Sequence, residues 1–542
     1  MTQAWYKDAI IYSVDVRRFF DSDGDGIGDF AGLTDRLDYL VDLGVTCLWL
    51  LPCHPSPGRD NGYDVADFFD IDPQLGGMDG LLKLVRAAGE RGVRVLMDLV
   101  ANHTSDQHPW FQAARRNPTS RYRTYYIWAK HPPPQSSGEG PMFPGEQSSV
   151  WTYDETAGAY YFHRFHAFQP ELNHGNAAVR EEIDRIIDLW MSLGVAGFRL
   201  DSAGHLIENG GERQPHPADS QALLRRFYAT ARAQDPHAAL MAEVDEPAAE
   251  LARFFEGGDQ LSLLLNFYLA NYLFLALAQE RAEPITRAMA ALPSPPDACA
   301  WANFLRNHDE LDLERLSQEE RETVFAAFAP REDMQVFGRG TRRRLAPLLG
   351  EPRRLRLAWS LLFALPGAPV IYAGDEIGMG DDLSAKGRDA VRTPIQWTAG
   401  RNGGFSSAPA KSLIQPLVSD TAFAPKRVNV EDQRGDPGSL FHWVRRLIEQ
   451  RRTHADLFHG RLTWLDSGME GVLAHQYRTG GRALLLLHNL SSRRAKLASL
   501  AGLAPCTTWR DLMAPEPAEP GSDLDLDLEP FGCRWLLGET ER

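Results

Sequence analysis

Asp98-Leu-Val-Ala-Asn-His103 follows the apolar run Val93-Arg-Val-Leu-Met97 and places ionisable side chains at the end of a predicted buried strand. Short apolar strands that alternate with helices are typical of a parallel sheet covered on both faces. In a barrel of such strands, all carboxyl ends open onto one rim, where the active site forms. Three further segments repeat the pattern and therefore predict one shared site: Gly197-Phe-Arg-Leu-Asp201, Leu240-Met-Ala-Glu243 and Phe304-Leu-Arg-Asn-His-Asp309.

Eight strand candidates with helical patterns between them predict an α/β fold, a (β/α)₈ TIM barrel. The candidates are residues 9–16, 47–52, 93–100, 196–201, 239–244, 263–267, 299–305 and 369–373. Helical periodicity separates several of them, for example at residues 80–91, 178–193 and 219–233. Strand and helix thus alternate along most of the chain, without hairpin signals between the strands.

Two long segments and a change of pattern divide the chain further. The barrel is predicted over residues 1–101 and 175–455, with an inserted subdomain at 102–174 after the third strand. Residues 374–438 form a second, lid-like excursion rich in Gly and Pro. Long excursions of this kind are usually functional. Short alternating strands joined by turns predict a C-terminal antiparallel β-sandwich over residues 456–542.

Composition excludes several classes of partner. The 542-residue chain has a net charge of −16, which argues against a nucleic-acid partner, since that would need a basic face. No apolar run reaches membrane-spanning length, and the amino terminus lacks a signal pattern, so we expect a cytoplasmic protein. The five cysteines are an odd number and lie mostly in apolar runs, which favours reduced thiols. A homo-oligomer remains possible.

Three acids at three strand ends, Asp201, Glu243 and Asp309, form the predicted catalytic group. Retaining glycoside hydrolysis needs a carboxylate nucleophile and a second acid with a raised pKa. Arg199 lies two residues before Asp201 on the same strand face, so its charge should lower the pKa of Asp201. The apolar run before Glu243 should keep that acid protonated near neutral pH. Each segment alone also fits an ordinary structural role, but their joint placement favours catalysis.

These segments resemble the signature regions of the α-amylase superfamily, the glycoside hydrolases of clan H, and Gln169-Pro-Glu-Leu-Asn173 resembles a fifth region. The resemblance implies a retaining enzyme with a covalent glucosyl intermediate. It also implies that Asp201 is the nucleophile, Glu243 the acid/base and Asp309 the carboxylate that grips the secondary hydroxyls of the sugar. The substrate contacts that it implies are Asp60, Tyr63, His103, Gln169, Arg199, His308 and Arg392.

Two of these residues imply the mode of action. In exo-acting members of the superfamily, the positions that match Asp60 and Arg392 seal the pocket around the non-reducing glucose. Tyr63 resembles the aromatic platform beneath that ring, and aromatic faces suit the apolar face of a pyranose. The resemblance therefore implies that the partner of the site is a small α-glucoside.

Several stretches, such as residues 304–314 and 374–380, resemble one group within the superfamily, the trehalose synthases. This resemblance implies a transglucosylase that interconverts maltose and trehalose. The chain departs from the group at Ser202-Ala203, where a Pro-Tyr pair is usual, and at Val244-Asp245, where Ala-Asn is usual. Because these positions border the acceptor, an exo-acting α-glucosidase or small-substrate α-amylase remains the alternative.

Asp21-Ser-Asp-Gly-Asp-Gly-Ile-Gly-Asp29 has carboxylates at alternate positions and a glycine at the sixth. Such a loop can wrap a hard cation in oxygen atoms. The twelfth position is Gly32, so the bidentate glutamate of an EF-hand is missing. The family resemblance implies a structural Ca²⁺ held by Asp21, Asp23, Asp25, Asp29 and the Ile27 carbonyl. An acidic turn without metal is the alternative.

Overall fold

A computed structural model describes residues 4–131, 141–206, 217–514 and 526–539. Eight parallel strands close into a barrel in which each strand pairs with its neighbours in the sequence. They are β1 (Ile11–Val14), β2 (Cys47–Leu50), β3 (Arg94–Leu99), β4 (Gly197–Leu200), β5 (Ala239–Ala242), β6 (Leu263–Leu265), β7 (Ala300–Phe304) and β8 (Ala368–Tyr372). Each overlaps a predicted strand, so the predicted TIM barrel is confirmed.

Side chains on the barrel strands alternate between two hydrophobic cores, as the two-residue period of a strand requires. Ile11, Trp49 and Leu96 belong to the cluster inside the barrel. Leu48 and Val95 belong to the cluster between the strands and the surrounding helices. A packed interior of this kind holds the strand ends in fixed positions.

The helices surround the barrel and follow the predicted helical patterns to within about three residues at most ends, as expected for helix boundaries read from sequence. The α-helices are Phe30–Asp35, Leu37–Leu43, Gly77–Glu90, Pro109–Arg116, Ala177–Ser192, Pro217–Gln234, Ala248–Phe255, Phe267–Gln279, Glu283–Ala291, Gln318–Phe328, Leu345–Leu349, Pro352–Ala364, Val430–Gly435, Leu440–Thr453 and Ala455–Phe458. No helix among these described segments is long and apolar enough to cross a membrane.

Antiparallel sheets lie outside the barrel. Between β3 and β4, Trp128–Ala129, Trp151–Asp154 and Ala159–Phe162 form a three-stranded sheet. After β7, Leu311–Asp312 pairs with a hairpin of Gln335–Val336 and Gly340–Thr341. The carboxyl-terminal sheets contain Arg461–Leu465, Val472–Thr479, Arg482–Asn489, Thr508–Asp511 and Cys533–Glu539, with Ala495–Lys496 paired to Asp527–Leu528.

The excursion after β8 consists mainly of short 3₁₀ turns, including Gly387–Val391, before the helix Val430–Gly435. Parts of two predicted domains lie outside the described residues: 132–140 of the inserted subdomain, and 515–525 and 540–542 of the C-terminal domain.

All five cysteines are free, and three of them are buried, in agreement with the predicted reduced thiols.

Candidate active site

Arg199 lies at the centre of the candidate site, near the carboxyl end of β4, and its side chain is buried. The strand register places it beside Asp98 of β3. Gly197 on the same strand has a φ of 139°, and a Cβ there would lie 1.9 Å from the carbonyl oxygen of Ala239 on β5. Only glycine therefore allows the strands to approach this closely. Their close packing fixes a buried cation at the rim of the barrel.

One guanidinium contacts three carboxylates. Nη1 of Arg199 donates to Oδ1 of Asp98 at 2.7 Å and to Oδ1 of Asp201 at 2.6 Å. Nη2 of Arg199 donates to Oε2 of Glu243 at 2.5 Å. The structure thus brings the predicted nucleophile and the predicted acid to the two terminal nitrogens of one side chain.

The pKa of Asp201 differs from the sequence prediction. Burial raises it to about 6, because Arg199 opposes the effect of burial without cancelling it, and the charge of Asp98 raises it further. The prediction of a lowered pKa was wrong, because burial raises the pKa by more than Arg199 lowers it. Burial also raises the pKa of Glu243 to about 7, as predicted. Near pH 6.5 the two acids therefore favour opposite protonation states.

Ser202 is a contact that the sequence analysis missed. Its φ of 47° is uncommon for a residue with a side chain, and such strained backbone is concentrated at functional sites. Its backbone N–H donates to Oε2 of Glu243 at 3.1 Å, and its Oγ donates to Oδ2 of Asp201 at 3.1 Å. Only its position directly after Asp201 could have suggested this role.

Asp309 lies among cations on the other side of the site. Its Oδ1 lies 2.8 Å from Nη2 of Arg392 and 3.2 Å from Nη1 of Arg388. Its Oδ2 lies 3.2 Å from Nε2 of His308. Burial would raise the pKa of Asp309, but the permanent charges of Arg388 and Arg392 outweigh it and hold the pKa well below its usual value. The carboxylate is thus kept ionised.

Arg388 was also missed by the sequence analysis. It lies in the excursion after β8, and its guanidinium binds Glu310 with Nε at 2.5 Å from Oε2 and Nη2 at 3.1 Å from Oε1. The guanidinium carbon also lies 4.7 Å from the ring centre of Phe143, which belongs to the predicted inserted subdomain. Its position four residues before Arg392 was the available signal, since the same segment supplies both arginines.

Tyr63 and two histidines line the floor of the site. The Tyr63 hydroxyl donates to Oδ2 of Asp98 at 3.0 Å and lies 2.7 Å from Nε2 of His308, on which its ring stacks with centres 5.6 Å apart. Nε2 of His103 lies 3.1 Å from the Tyr63 carbonyl oxygen. Burial lowers the pKa of His308 to about 3 and of His103 to about 4, so both rings are neutral near pH 7.

Asp60 and Gln169 contact each other rather than Arg392. Nε2 of Gln169 donates to Oδ2 of Asp60 at 2.8 Å. Arg392 donates from Nε to the His308 carbonyl oxygen at 2.8 Å. Burial opposes the charge of Arg392, but Asp309 and Asp60 together raise its pKa above the usual value. Asp60 therefore acts on Arg392 through its charge, and both residues belong to the same charged cluster.

The acidic loop brings together three of its four predicted carboxylate ligands. Carboxylate oxygens of Asp21, Asp23 and Asp29 all lie within 4.8 Å of one another. Asp25 does not join this group, and its Oδ1 accepts the backbone N–H of Ile27 at 2.7 Å. Gly24 and Gly26 have φ values of 84° and 104°, and their N–H groups donate to Asp21. The loop is thus folded around converging carboxylates.

Comparisons with known proteins agree on the family. Residues 11–460 match the model of the α-amylase catalytic domain. The chain is 41% identical over 507 residues to the trehalose synthase/amylase TreS of Mycolicibacterium smegmatis, covering 90% of this chain and 84% of that protein. It is 42% identical over 494 residues to a trehalose synthase of Thermus thermophilus, covering 91% of this chain but only 51% of that protein. The solved trehalulose synthase MutB of Pseudomonas mesoacidophila superimposes with a TM-score of 0.77 at 25% identity, covering 98% of this chain and 99% of that one.

Proposed function

We propose that this chain, which belongs to the α-amylase family, transfers a glucosyl unit between short α-glucosides and thereby interconverts maltose and trehalose. Its family and its relatives make it an enzyme that hydrolyses or transfers glycosyl groups. Relatives at 41% and 42% identity that are named trehalose synthases support the choice of reaction.

The observation that carries the proposal is the contact of Arg199 with both Asp201 and Glu243. In the proposed first step, ionised Asp201 attacks the anomeric carbon and the glycosidic bond breaks. Glu243 donates its proton to the leaving oxygen, and a covalent glucosyl-enzyme forms. The pKa values of about 6 and about 7 support this division of roles.

In the second step, the released glucose turns within the site. Its anomeric hydroxyl attacks the anomeric carbon of the glucosyl-enzyme while Glu243 takes the proton; the bond from that carbon to Asp201 breaks, and trehalose forms. This outcome requires a site that retains glucose and excludes water. Contacts between the inserted subdomain and the segments after β7 and β8 support such closure. Phe143 lies beside Arg388, and Nη2 of Arg339, in the hairpin after β7, donates to the Met142 carbonyl oxygen at 2.9 Å.

Product analysis on maltose tests the proposal. Trehalose should form ahead of free glucose, because the acceptor stays in the closed site. The Asp201→Asn variant, assayed in parallel, controls for contaminating activities. Free glucose with no trehalose would contradict the transferase and indicate hydrolysis.

Hydrolysis by an exo-acting α-glucosidase is the second candidate, and the rim next to Glu243 favours it. The Asp245 side chain is 23% exposed and that of Glu314 is 51% exposed, and their carboxylates cluster with that of Asp312. A polar, partly exposed rim would give water a route to the glucosyl-enzyme. Replacing Asp245 with Asn, the usual residue in trehalose synthases, should then lower the ratio of hydrolysis to transfer.

Exo action forms part of the same proposal. Asp60 and Arg392 would bind the hydroxyls of the terminal glucose, and a buried charged group left unpaired discriminates strongly against other substrates. Maltose should therefore be a substrate, whereas a maltoheptaoside blocked at its non-reducing end should not. Rapid internal cleavage of the blocked heptaoside would contradict exo action and indicate an endo-amylase.

We further propose that the loop of Asp21, Asp23 and Asp29 binds a structural Ca²⁺, since converging carboxylates suit a hard cation. An ion bound only by the folded state stabilises it by linkage. Chelation should therefore lower the melting temperature and leave the rate of the folded enzyme unchanged. An Asp21→Asn/Asp23→Asn variant should lose the calcium dependence. An unchanged melting temperature after chelation would contradict the site.

A further inference from the structure

A cavity of about 380 Å³ lies at the end of the barrel opposite to the candidate active site. Thr46 precedes β2 and Arg94 begins β3, so the cavity borders the amino-terminal ends of these strands. Its opposite wall comes from the end of the helix Leu440–Thr453 and from the helix Ala455–Phe458. The three catalytic acids follow the carboxyl ends of strands, so this cavity is a separate feature.

The lining of the cavity is positively charged. It contains Arg94, Arg451 and Arg452 but only one carboxylate, Asp8. That carboxylate already has a partner, because its Oδ1 lies 2.6 Å from Nε2 of His459. Within the described part of the chain, neither Arg94 nor Arg452 forms an ion pair. In a protein with a net charge of −16, a concave surface with such an excess of arginine is unusual, and its positive potential attracts anions.

Two of the arginines are held in place by their surroundings. Arg451 is buried and donates to the carbonyl oxygens of residues 363, 365 and 367, at and beyond the end of the helix Pro352–Ala364. The guanidinium of Arg94 lies 4.8 Å from the ring centre of Trp5. Trp5 is itself fixed, since its Nε1 donates to the His237 carbonyl oxygen at 2.8 Å. The positioned guanidinium of Arg94 therefore loses little entropy when it binds a ligand, whereas that of Arg451 already donates to three carbonyl oxygens.

We propose that this cavity is a binding site for a phosphate monoester. A guanidinium presents a planar set of donors that matches two phosphate oxygens at once, and Arg94 and Arg452 supply such donors. The volume accommodates a phosphate with an attached hexose, and the rings of Trp5 and Phe458 offer an apolar wall for the sugar. The site is independent of the proposed glucosyl transfer, because it uses none of the residues of the candidate active site.

Calorimetric titration of the full chain at constant ionic strength tests the site with two probes, inorganic phosphate and glucose 6-phosphate. One phosphate should bind per chain. Adding 0.5 M NaCl should weaken the binding, because salt screens the attraction between the charges; the Debye length is only about 3 Å at 1 M salt. In the Arg94→Ala/Arg452→Ala variant, binding should be weaker by about tenfold or more, as expected for lost charge-assisted contacts. Tighter binding of glucose 6-phosphate supports a site for a phosphate monoester, whereas equal binding would contradict it and indicate a site for free phosphate.

A matched control is the Arg86→Ala/Arg353→Ala variant, which removes two exposed arginines that lie away from the cavity. This variant should bind both probes as the wild type does. Both double variants should keep the wild-type rate on maltose, since the cavity lies away from the catalytic acids. Absence of binding to the wild type, or equal binding to the Arg94→Ala/Arg452→Ala variant, would overturn the proposal.

Discussion

On one side of the candidate site a single guanidinium, that of Arg199, is shared by Asp98, Asp201 and Glu243, whereas on the other side two guanidinium groups, that of Arg392 and that of Arg388, which Glu310 also binds, contact Asp309. Burial raises the pKa of the carboxylates on both sides. Yet the pKa rises to about 6 for Asp201 and about 7 for Glu243, while that of Asp309 falls well below its usual value. The number of cations per carboxylate therefore decides the protonation state.

This difference in pKa matches the role proposed for each side of the site. An acid that exchanges a proton in each cycle needs a pKa close to the working pH. A carboxylate that only grips hydroxyl groups needs a permanent charge, which Arg388 and Arg392 supply to Asp309. The contrast between a proton-exchanging side and a permanently charged side leads to the following predictions.

Removing the nucleophile should have the largest effect. Asp201→Ala should lower kcat on maltose by about 10⁴-fold or more, because the covalent intermediate can no longer form. Asp201 lies at the rim and not in the hydrophobic core, so circular dichroism and the melting temperature should show a folded protein. A variant that kept more than about a tenth of the wild-type rate would show that Asp201 is not the nucleophile.

Loss of one cation on the permanently charged side should have the next largest effect. Arg392→Ala should cost about 2–4 kcal/mol in transition-state stabilisation, or about 30- to 1000-fold in kcat/KM, because Asp309 loses a buried charged partner. Arg392→Lys retains the charge but not the planar pair of donors, so its loss should be smaller. Equal losses in the two variants would mean that charge is not what Arg392 contributes.

The pH dependence distinguishes the two sides directly. Asp201 must be ionised and Glu243 protonated, so kcat/KM should fall about tenfold per pH unit below pH 6 and above pH 7. Because the two groups interact, the pKa values read from the two limbs describe the pair of acids and not either acid alone. With α-glucosyl fluoride, whose leaving group needs no proton, the alkaline limb should disappear. A further acid limb that appears only in the Arg392→Ala variant would mark Asp309 as well.

The fold and the meeting of the three acids at one rim could be predicted because their signals are local. Each barrel strand is a short, mainly apolar run; Asp201 and Glu243 directly follow such runs, and Asp309 follows one after four residues. The pKa of Asp201 could not be predicted, because it depends on how Arg199 is shared among strands that lie over a hundred residues apart. Arg388 reaches Asp309 through an irregular excursion whose path has no periodic pattern. Likewise, ligand spacing alone does not reveal that Asp25 lies outside the group of Asp21, Asp23 and Asp29.

The smallest predicted effect tests the sharing of Arg199 itself. Asp98→Asn removes one of the three negative charges, and the charge of Asp98 is among the causes that raise the pKa of Asp201. The pKa of Asp201 should fall, and the acid limb should move to lower pH by at most about one unit. The rate will also drop, because Asp98 accepts hydrogen bonds from Tyr63 and Trp49, so the informative quantity is the position of the limb.

The control for this last test is Asp67→Asn, which removes an exposed carboxylate outside the site and should leave the limb in place. If the acid limb of Asp98→Asn stays where it is in the wild type, Arg199 is not limiting, and burial alone raises the pKa of Asp201. If the limb moves to higher pH, Asp98 supports the ionised form of Asp201 through Arg199 instead of competing with it. Only a shift to lower pH is consistent with three acids that compete for one guanidinium.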